Sequence, residues 1–580
     1  MMNEAVSARN LVKLTIPSVL LCGFALVLCG IQPGANGQTN ADTTTIAGMG
    51  SLSGTVKAPK EFKAARVYAK NVDKNIVYMV YTTGGKYQAV DLFPGNYEVS
   101  VTKNGFRGGG PQKITLTAGG KGTADFVLQE GTYRPNQEMR VGIDSSSGVP
   151  QNEPLFSYDE LYPAGEGRQI AERTCIRCHG PDFLPNKQWN ADQWNAAIDL
   201  MQSTTVIFPG RISPSSVPEG ISPKERQTLV EYLEKNFGPD NTPRGLAVPE
   251  EPIDEQALGN AMYVEYHAPA LPNGKERRFH DAHLGQNGDV WYVDMAGMQI
   301  GKMDPRTAAW TDYAITNRNA RGHGIIQDAI GDIWYSGHTA FGRVDSKTGT
   351  MQFYPYNTQN ERPPHGNTPT VDSKQNIWTT LMYTNEIAKW DRKTEKVSRF
   401  TLPTPYSSPY GGVMDKKDNL WVAEWFGCKM AKFDTNTEKF TEYIPLSKPC
   451  TMRRLSVDHN GMVWYALDSV GKIGMLDPTT GKIVEYAEPV QFGFPYDIQE
   501  DHDYNLWIAD SGQGGALIKF DPQTKKFTYY PSIQRTDMPK IEVSGDNSIW
   551  YTTRTADPKE MALGVLYPDK TKIHTLAATY

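Results

Sequence analysis

The sequence has no run of basic residues. Its formal charge of −6 and pI near 6.0 over 580 residues leave no phosphate-neutralising surface, which excludes nucleic acid as a partner. Long apolar runs are equally scarce: after Leu14 to Ile31 no segment is long and apolar enough to span a bilayer. Cysteine is rare, six in all. Cys22 and Cys29 fall inside the apolar run, each behind a leucine where a lipid-attachment site normally carries a small residue, which argues against lipidation. Between His179 and His267 there is no second Cys or His pair to complete a zinc ribbon around Cys175 and Cys178. A thioredoxin-like dithiol is also poorly matched, because this pair follows a polar helical stretch, Gly165 to Arg173, and not a strand.

What is present begins with Arg9 and Lys13, the apolar run, and small residues around Ala35-Asn36-Gly37. This reads as a signal peptide over residues 1–37 and a periplasmic or secreted protein, with an uncleaved N-terminal membrane anchor as the alternative. The 53 glycines, 39 prolines and 11% aromatic residues suit a turn-rich β protein of several domains.

In AERTCIRCHG, Ala171 to Gly180, two cysteines stand one helical turn apart with a histidine directly after the second. Both sulfurs then face one side, where they can bond the two vinyl groups of a covalently attached haem c, and His179 can reach the iron. Cys175, Cys178 and His179 are the expected haem-binding residues. Met201 is the candidate sixth ligand, since it is the only methionine between Met139 and Met262 and no histidine follows His179 in this region. Trp194, Ala197, Ile198 and Met201 also share helical core spacing, so Met201 has a packing alternative that would leave the iron five-coordinate. Downstream, Ser222, Pro223 and Glu225 form a cap, a first-turn proline and a capping-box acid. Leu229, Val230, Leu233 and Phe237 form an apolar face, and Gly238-Pro239 a stop. Residues 161–247 resemble a small α-helical class I cytochrome c domain.

The flanks are β. LSGTV, ARVYA, KYQAV, FPGNYEVSVT, NGF, KITLT and ADFVLQ predict a sandwich of roughly seven strands over residues 49–130. Phe93-Pro94-Gly95-Asn96-Tyr97 and Asn104-Gly105-Phe106 resemble the carboxypeptidase regulatory-like domain, which implies a structural role. Residues 131–160, rich in Ser, Pro and Asn, read as a linker.

From residue 261 to 580 the chain repeats. Trp291, Trp334, Trp378, Trp421, Trp464, Trp507 and Trp550 recur every 43 or 44 residues, within units of four short strands. The pattern predicts a seven-bladed β-propeller. Met262 to Tyr266 and Lys572 to Leu576 compete to close the ring. NLWVAEW, KMAKFD and MVWYALDSVGKIGMLD resemble the streptogramin (virginiamycin B) lyase-like propellers. In that family a histidine eleven residues before the tryptophan works with an acid three after it and a divalent metal.

Here the earlier position holds His280, His323, Asn367, Tyr410, Arg453, Tyr496 and Pro539. The later one holds Asp294, Gly337, Leu381, Glu424, Leu467, Asp510 and Thr553. Strand one leaves, and strand two returns to, the same channel mouth, so both sets should ring it. The expected catalytic residues are His280, His323 and Asp294, as a divalent-metal or proton-transfer group, with Arg453, Tyr410 and Tyr496 orienting a polar or anionic ligand. Cys428 and Cys450 both fall on this face, where an exported chain could join them. His459 and His502 fall on the opposite face, and His574 on an outer strand.

The fold class expected is therefore mainly β and multidomain: an N-terminal β-sandwich, a small α-helical cytochrome c domain and a C-terminal seven-bladed β-propeller. Two functions compete. One is an exported c-type cytochrome acting in electron transfer, an oxidoreductase whose propeller binds a small-molecule substrate or a redox partner protein. The alternative is a lyase-like or ligand-binding propeller with an accessory haem domain.

Overall fold

Five of the seven tryptophan repeats fold into an antiparallel sheet whose first turn is fastened by one aspartate. In blade four, the carboxylate of Asp415 accepts hydrogen bonds from the backbone N–H groups of Lys417 and Asn419 and from Nε1 of Trp421 at 3.0 Å. Asp328, Asp372, Asp458 and Asp501 hold Trp334, Trp378, Trp464 and Trp507 in the same way, at 2.9 to 3.0 Å. The buried indole N–H is satisfied by the group that shapes the turn, so the Asp and Trp recur together six residues apart. Blades one and seven carry Gly285 and Ser544 instead, and there Nε1 of Trp291 and of Trp550 has no hydrogen-bond partner among the described residues.

The computed structural model describes residues 46–131, 155–176, 181, 183–202, 221–242, 244–247, 251–357, 363–448, 450–512, 515–534, 537–554 and 558–579. The expected signal peptide and most of the expected linker lie outside these residues. The chain is mainly β and multidomain. Six four-stranded sheets run in sequence order, each from its own stretch of chain. They start at Phe279, Gly322, Gly366, Pro409, Leu455 and Pro495. The seventh blade is composite: Ile541–Val543, Ile549–Thr552 and Ala562–Tyr567 are completed by Met262–His267 from the other end of the region. Its register runs from Met262 opposite Tyr567 to His267 opposite Ala562. Lys570–Lys572 is a 3-10 turn and the residues after it form no strand, so Lys572 to Leu576 takes no part in closure and His574 is not on a strand.

The outer edge of the closing strand is paired as well. Met262 to Tyr266 lie antiparallel to Ile76–Tyr81 of the N-terminal sandwich, with Met262 opposite Val80 and Tyr266 opposite Ile76. Blade seven and one sandwich sheet thereby form a single eight-stranded sheet, ending in Arg66–Asn71, Gly95–Thr102 and Gln112–Leu116. Ile76–Tyr81 is absent from the seven strands expected for the sandwich. Its sequence IVYMVY does not alternate because both faces are covered. Tyr78 and Val80 pack into the sandwich core, Met79 and Tyr81 against Tyr263, Trp507 and Tyr551 of the propeller.

Between sandwich and propeller lies a helical segment. Its helices are Tyr158–Leu161, Glu166–Ala171 continuing as a π-turn through Ile176, Ala191–Gln202 and Pro223–Phe237. The Ser222/Glu225 capping box is formed, and Leu229, Val230, Leu233 and Phe237 are buried. Glu166–Ala171 crosses Pro223–Phe237 closely at Gly167, where a Cβ would stand 2.3 Å from Cβ of Tyr232. Leu155–Phe156 and Gly245–Leu246 pair in parallel, bringing the two ends of the segment together.

Candidate functional site

Strand one begins with a β-bulge in five of the blades, where the register slips between Phe279 and Ala282, Gly322 and Gly324, Gly366 and Pro369, Pro409 and Gly412, and Pro495 and Asp497. A bulge breaks the inward–outward alternation. The residue eleven before the tryptophan lies in it and is turned to the channel.

Four of the five expected ring residues from strand-one positions form a contiguous group. The His280 and His323 rings lie 3.7 Å apart between centroids, and His323 meets Tyr410 edge-on at 5.8 Å. Tyr410 Oη is 3.3 Å from His280 Nε2 and hydrogen-bonds Tyr496 Oη. The fifth, Arg453, lays its guanidinium 4.4 Å from the ring centroids of both Trp425 and Tyr496, and its Nε donates to Asp468 at 2.8 Å. All five side chains are buried.

Asp294 is placed differently. One oxygen accepts from the backbone N–H groups of Arg278 and Gly297, and the other faces Arg277 at 3.4 Å. It pins the turn after strand two. Asp510 does the same in blade six, accepting from Phe494 and Gly512. The acid beside the histidines is Asp281, whose Oδ1 is 2.7 Å from His280 Nδ1 and 2.7 Å from a terminal nitrogen of Arg454. Neither Asp281 nor Arg454 is among the residues expected from the sequence. Each directly follows an expected residue, and a strand that alternated would point them outward. The bulge at His280, and the late start of strand one in blade five at Leu455, turn both inward.

His365 and His338 also went unrecognised, because they stand outside the repeat positions compared. Ring centroids step from His323 to His365 at 5.2 Å and from His365 to His338 at 4.3 Å. Burial pushes the pKa of His280, His323 and His365 well below the usual range, and that of His338 down to about 4, with neighbouring arginines and histidines adding to the effect. Burial, then the adjacent Tyr496, raises that of Tyr410.

A divalent metal on His280, His323 and Asp294 does not fit this arrangement. Asp294 is committed to backbone and Arg277, and among the described residues no group of three or more His, Cys, Asp or Glu side chains could hold a metal ion. Cys428 and Cys450 form a disulfide beside the mouth, with Cα atoms 5.2 Å apart.

Of the expected haem residues, Cys178 and His179 lie outside the described residues. Met201 lies on Ala191–Gln202. Cys175 is a free thiol in the π-turn, packed against the apolar core of Ile170, Phe183, Leu184, Trp194, Ile198 and Leu233. Burial pushes its pKa up.

Family models match two parts of the chain. Residues 342–561 match the virginiamycin B lyase family, and residues 51–129 match the carboxypeptidase regulatory-like domain. No curated protein matches the chain. Among solved structures, a streptogramin B lyase is 21% identical at a TM-score of 0.47, over 53% of this chain and 98% of its own. A catalytically inactive virginiamycin B lyase from Staphylococcus aureus with quinupristin is 19% identical at 0.47, over 53% and 99%. The WD40 propeller of Doa1 is 11% identical at 0.42, over 54% and 99%.

Proposed function

We propose that the propeller mouth is a lyase-type acid–base site acting on a polar small molecule, and that the helical segment is an accessory haem carrier. The observation that carries the first part is the file Tyr410–His280–Asp281, closed by Arg454. If Asp281 accepts the Nδ1–H of His280, the lone pair on Nε2 faces the Tyr410 hydroxyl. Burial keeps the imidazole unprotonated at neutral pH, which leaves its Nε2 lone pair available to the Tyr410 hydroxyl. Tyr410 can then take a proton from a substrate carbon while passing its own to His280. The electron pair of the broken C–H bond becomes a C=C bond as the C–O bond on the adjacent carbon breaks, and the ester oxygen departs as a carboxylate whose charge Arg453 and Arg454 stabilise. The family match over residues 342–561 supports elimination as the reaction class.

The test is an ester and lactone panel incubated in D2O and followed by NMR for alkene formation and carbon-bound deuterium. Tyr410→Phe should slow elimination and exchange at least ~100-fold, the range of a lost general acid–base, with little change in melting temperature. Wild-type rates in that variant would reject the relay.

The haem reading is supported by the sequence motif and by Cys175 at the edge of an apolar core that also holds the unpartnered indole N–H of Trp194. These residues fit the group. Cys175, Cys178, His179 and Met201 would hold it, and the haem would contribute one-electron exchange. The oxidoreductase reading draws on one further contact. Tyr158 of the helical segment packs on Phe492, at 4.9 Å between centroids, two residues before Phe494, which lies 5.2 Å from the Arg453 guanidinium. A redox spectrum of the exported protein, with Cys175→Ser as control, tests the haem. Colour that survives in that variant, or that acid-acetone extracts from the wild type, rejects covalent attachment.

A further inference from the structure

The acid three residues after the tryptophan is missing from blades two, three, five and seven, of which only two and three are neighbours in the ring. Blade two has Gly337 and blade three Leu381, where blades one, four and six have Asp294, Glu424 and Asp510. Gly337 has no room for a side chain: a Cβ there would lie 2.8 Å from the carbonyl oxygens of both Ala320 and Ala340. At this part of the rim the nitrogens are left open. His323 Nδ1, His365 Nδ1, His338 Nε2 and Arg321 Nε are all buried atoms with no hydrogen-bond partner among the described residues. His323 and His365 are only 4% and 6% exposed. The nearest carboxylate to act on His323 is that of Asp281, already engaged by His280 and Arg454. Arg321 has no ion pair among the described residues, and burial together with Arg278 weakens its hold on its proton.

Leaving such a buried nitrogen unsatisfied is costly, and four at this part of the rim point to a ligand that satisfies them together. Each neutral imidazole can turn its single N–H to the open nitrogen, and Arg321 adds a permanent charge. Tyr383, stacked on His365 at 4.8 Å, provides an apolar wall.

We infer that Arg321, His323, His338 and His365 form an oxyanion-binding subsite at the mouth of blades two and three, so that the substrate class is a small molecule bearing a carboxylate or phosphate. This deepens the reading above and rests on it. The His323 ring, 3.7 Å from that of His280, joins the subsite to the proton relay, so a bound anion would present its neighbouring carbon toward Tyr410.

Calorimetric titration of the full chain with succinate, inorganic phosphate and succinamide tests it. One or both anions should bind at least ten-fold more tightly than the uncharged diamide. Succinate tighter than phosphate assigns a carboxylate, and the reverse a phosphate. Arg321→Gln and His338→Gln should each weaken the anion at least ten-fold, while His459→Gln on the opposite face should leave it unchanged. Equal binding of the diamide, failure of both anions, or wild-type affinity in folded Arg321→Gln and His338→Gln would overturn the inference. The comparison of anion and diamide on wild-type protein decides the matter even if a variant fails to fold. Anion binding absent while Tyr410→Phe still abolishes elimination would sink the subsite alone. Anion binding present with a fully active Tyr410→Phe would sink the relay alone.

Discussion

Glu488 and Asp510 are buried at the loop into blade six, and three of their four carboxylate oxygens have no partner among the described residues. Burial raises both pKa values, that of Asp510 from 3.8 to about 6, and the charge of Asp510 pushes Glu488 higher still. The sign of the linkage follows. The folded state binds these protons more tightly than the unfolded chain, so the contribution is fully present at pH below about 4 and is lost as pH rises through about 6 and beyond. Glu488→Gln removes one of the two titrations and offers an amide donor. It should raise the melting temperature at pH 7.5 relative to wild type and flatten the decline between pH 5 and 7.5. Parallel pH profiles for the two proteins would show that the pair is not the source. At this scale the sequence showed the ring at the mouth, because positions that should be interchangeable for folding differ in chemistry from blade to blade. It hid Asp281, because a one-residue bulge is invisible to a period of two, and Arg454, because the first strand of blade five starts only at Leu455.

At the scale of the element, the Asp–Trp turn is the unit that makes a blade. Asp415→Ala would strand the indole of Trp421 and two backbone N–H groups that now share one carboxylate. The expected loss is about 2 kcal/mol, as for hydrogen bonds to a charged acceptor, read as a lower urea midpoint. An unchanged midpoint would mean that water serves those donors equally well. The repeat made six four-stranded blades legible in the sequence, and the capping box made the start of one helix legible to the residue. Ile76–Tyr81 escaped for the opposite reason. A strand covered on both faces carries no alternation, and one of its two partner strands, Met262–His267, is remote in sequence.

At the scale of the molecule, ring closure depends on a strand that is itself clasped. Every residue of Met262–His267 is buried, with blade seven on one edge and the sandwich on the other. Deleting residues 49–130 would bare a flat apolar edge with unpaired backbone groups, the kind of edge that recruits further strands. A chain so shortened should self-associate on size-exclusion chromatography, whereas a well-behaved monomer would show that the clasp is dispensable. The sandwich is thus a continuation of the propeller in hydrogen-bonded β-sheet, and a role as a passive spacer does not describe it.

The parallel pairing of Leu155–Phe156 with Gly245–Leu246 has a consequence for ancestry. A segment whose two ends leave and return side by side can be spliced in or out without moving anything on either side. Sandwich and ring can therefore be inherited as one lineage while the helical segment travels as a cassette, and homologues of this architecture should include chains in which residue 155 is followed almost directly by the equivalent of residue 245.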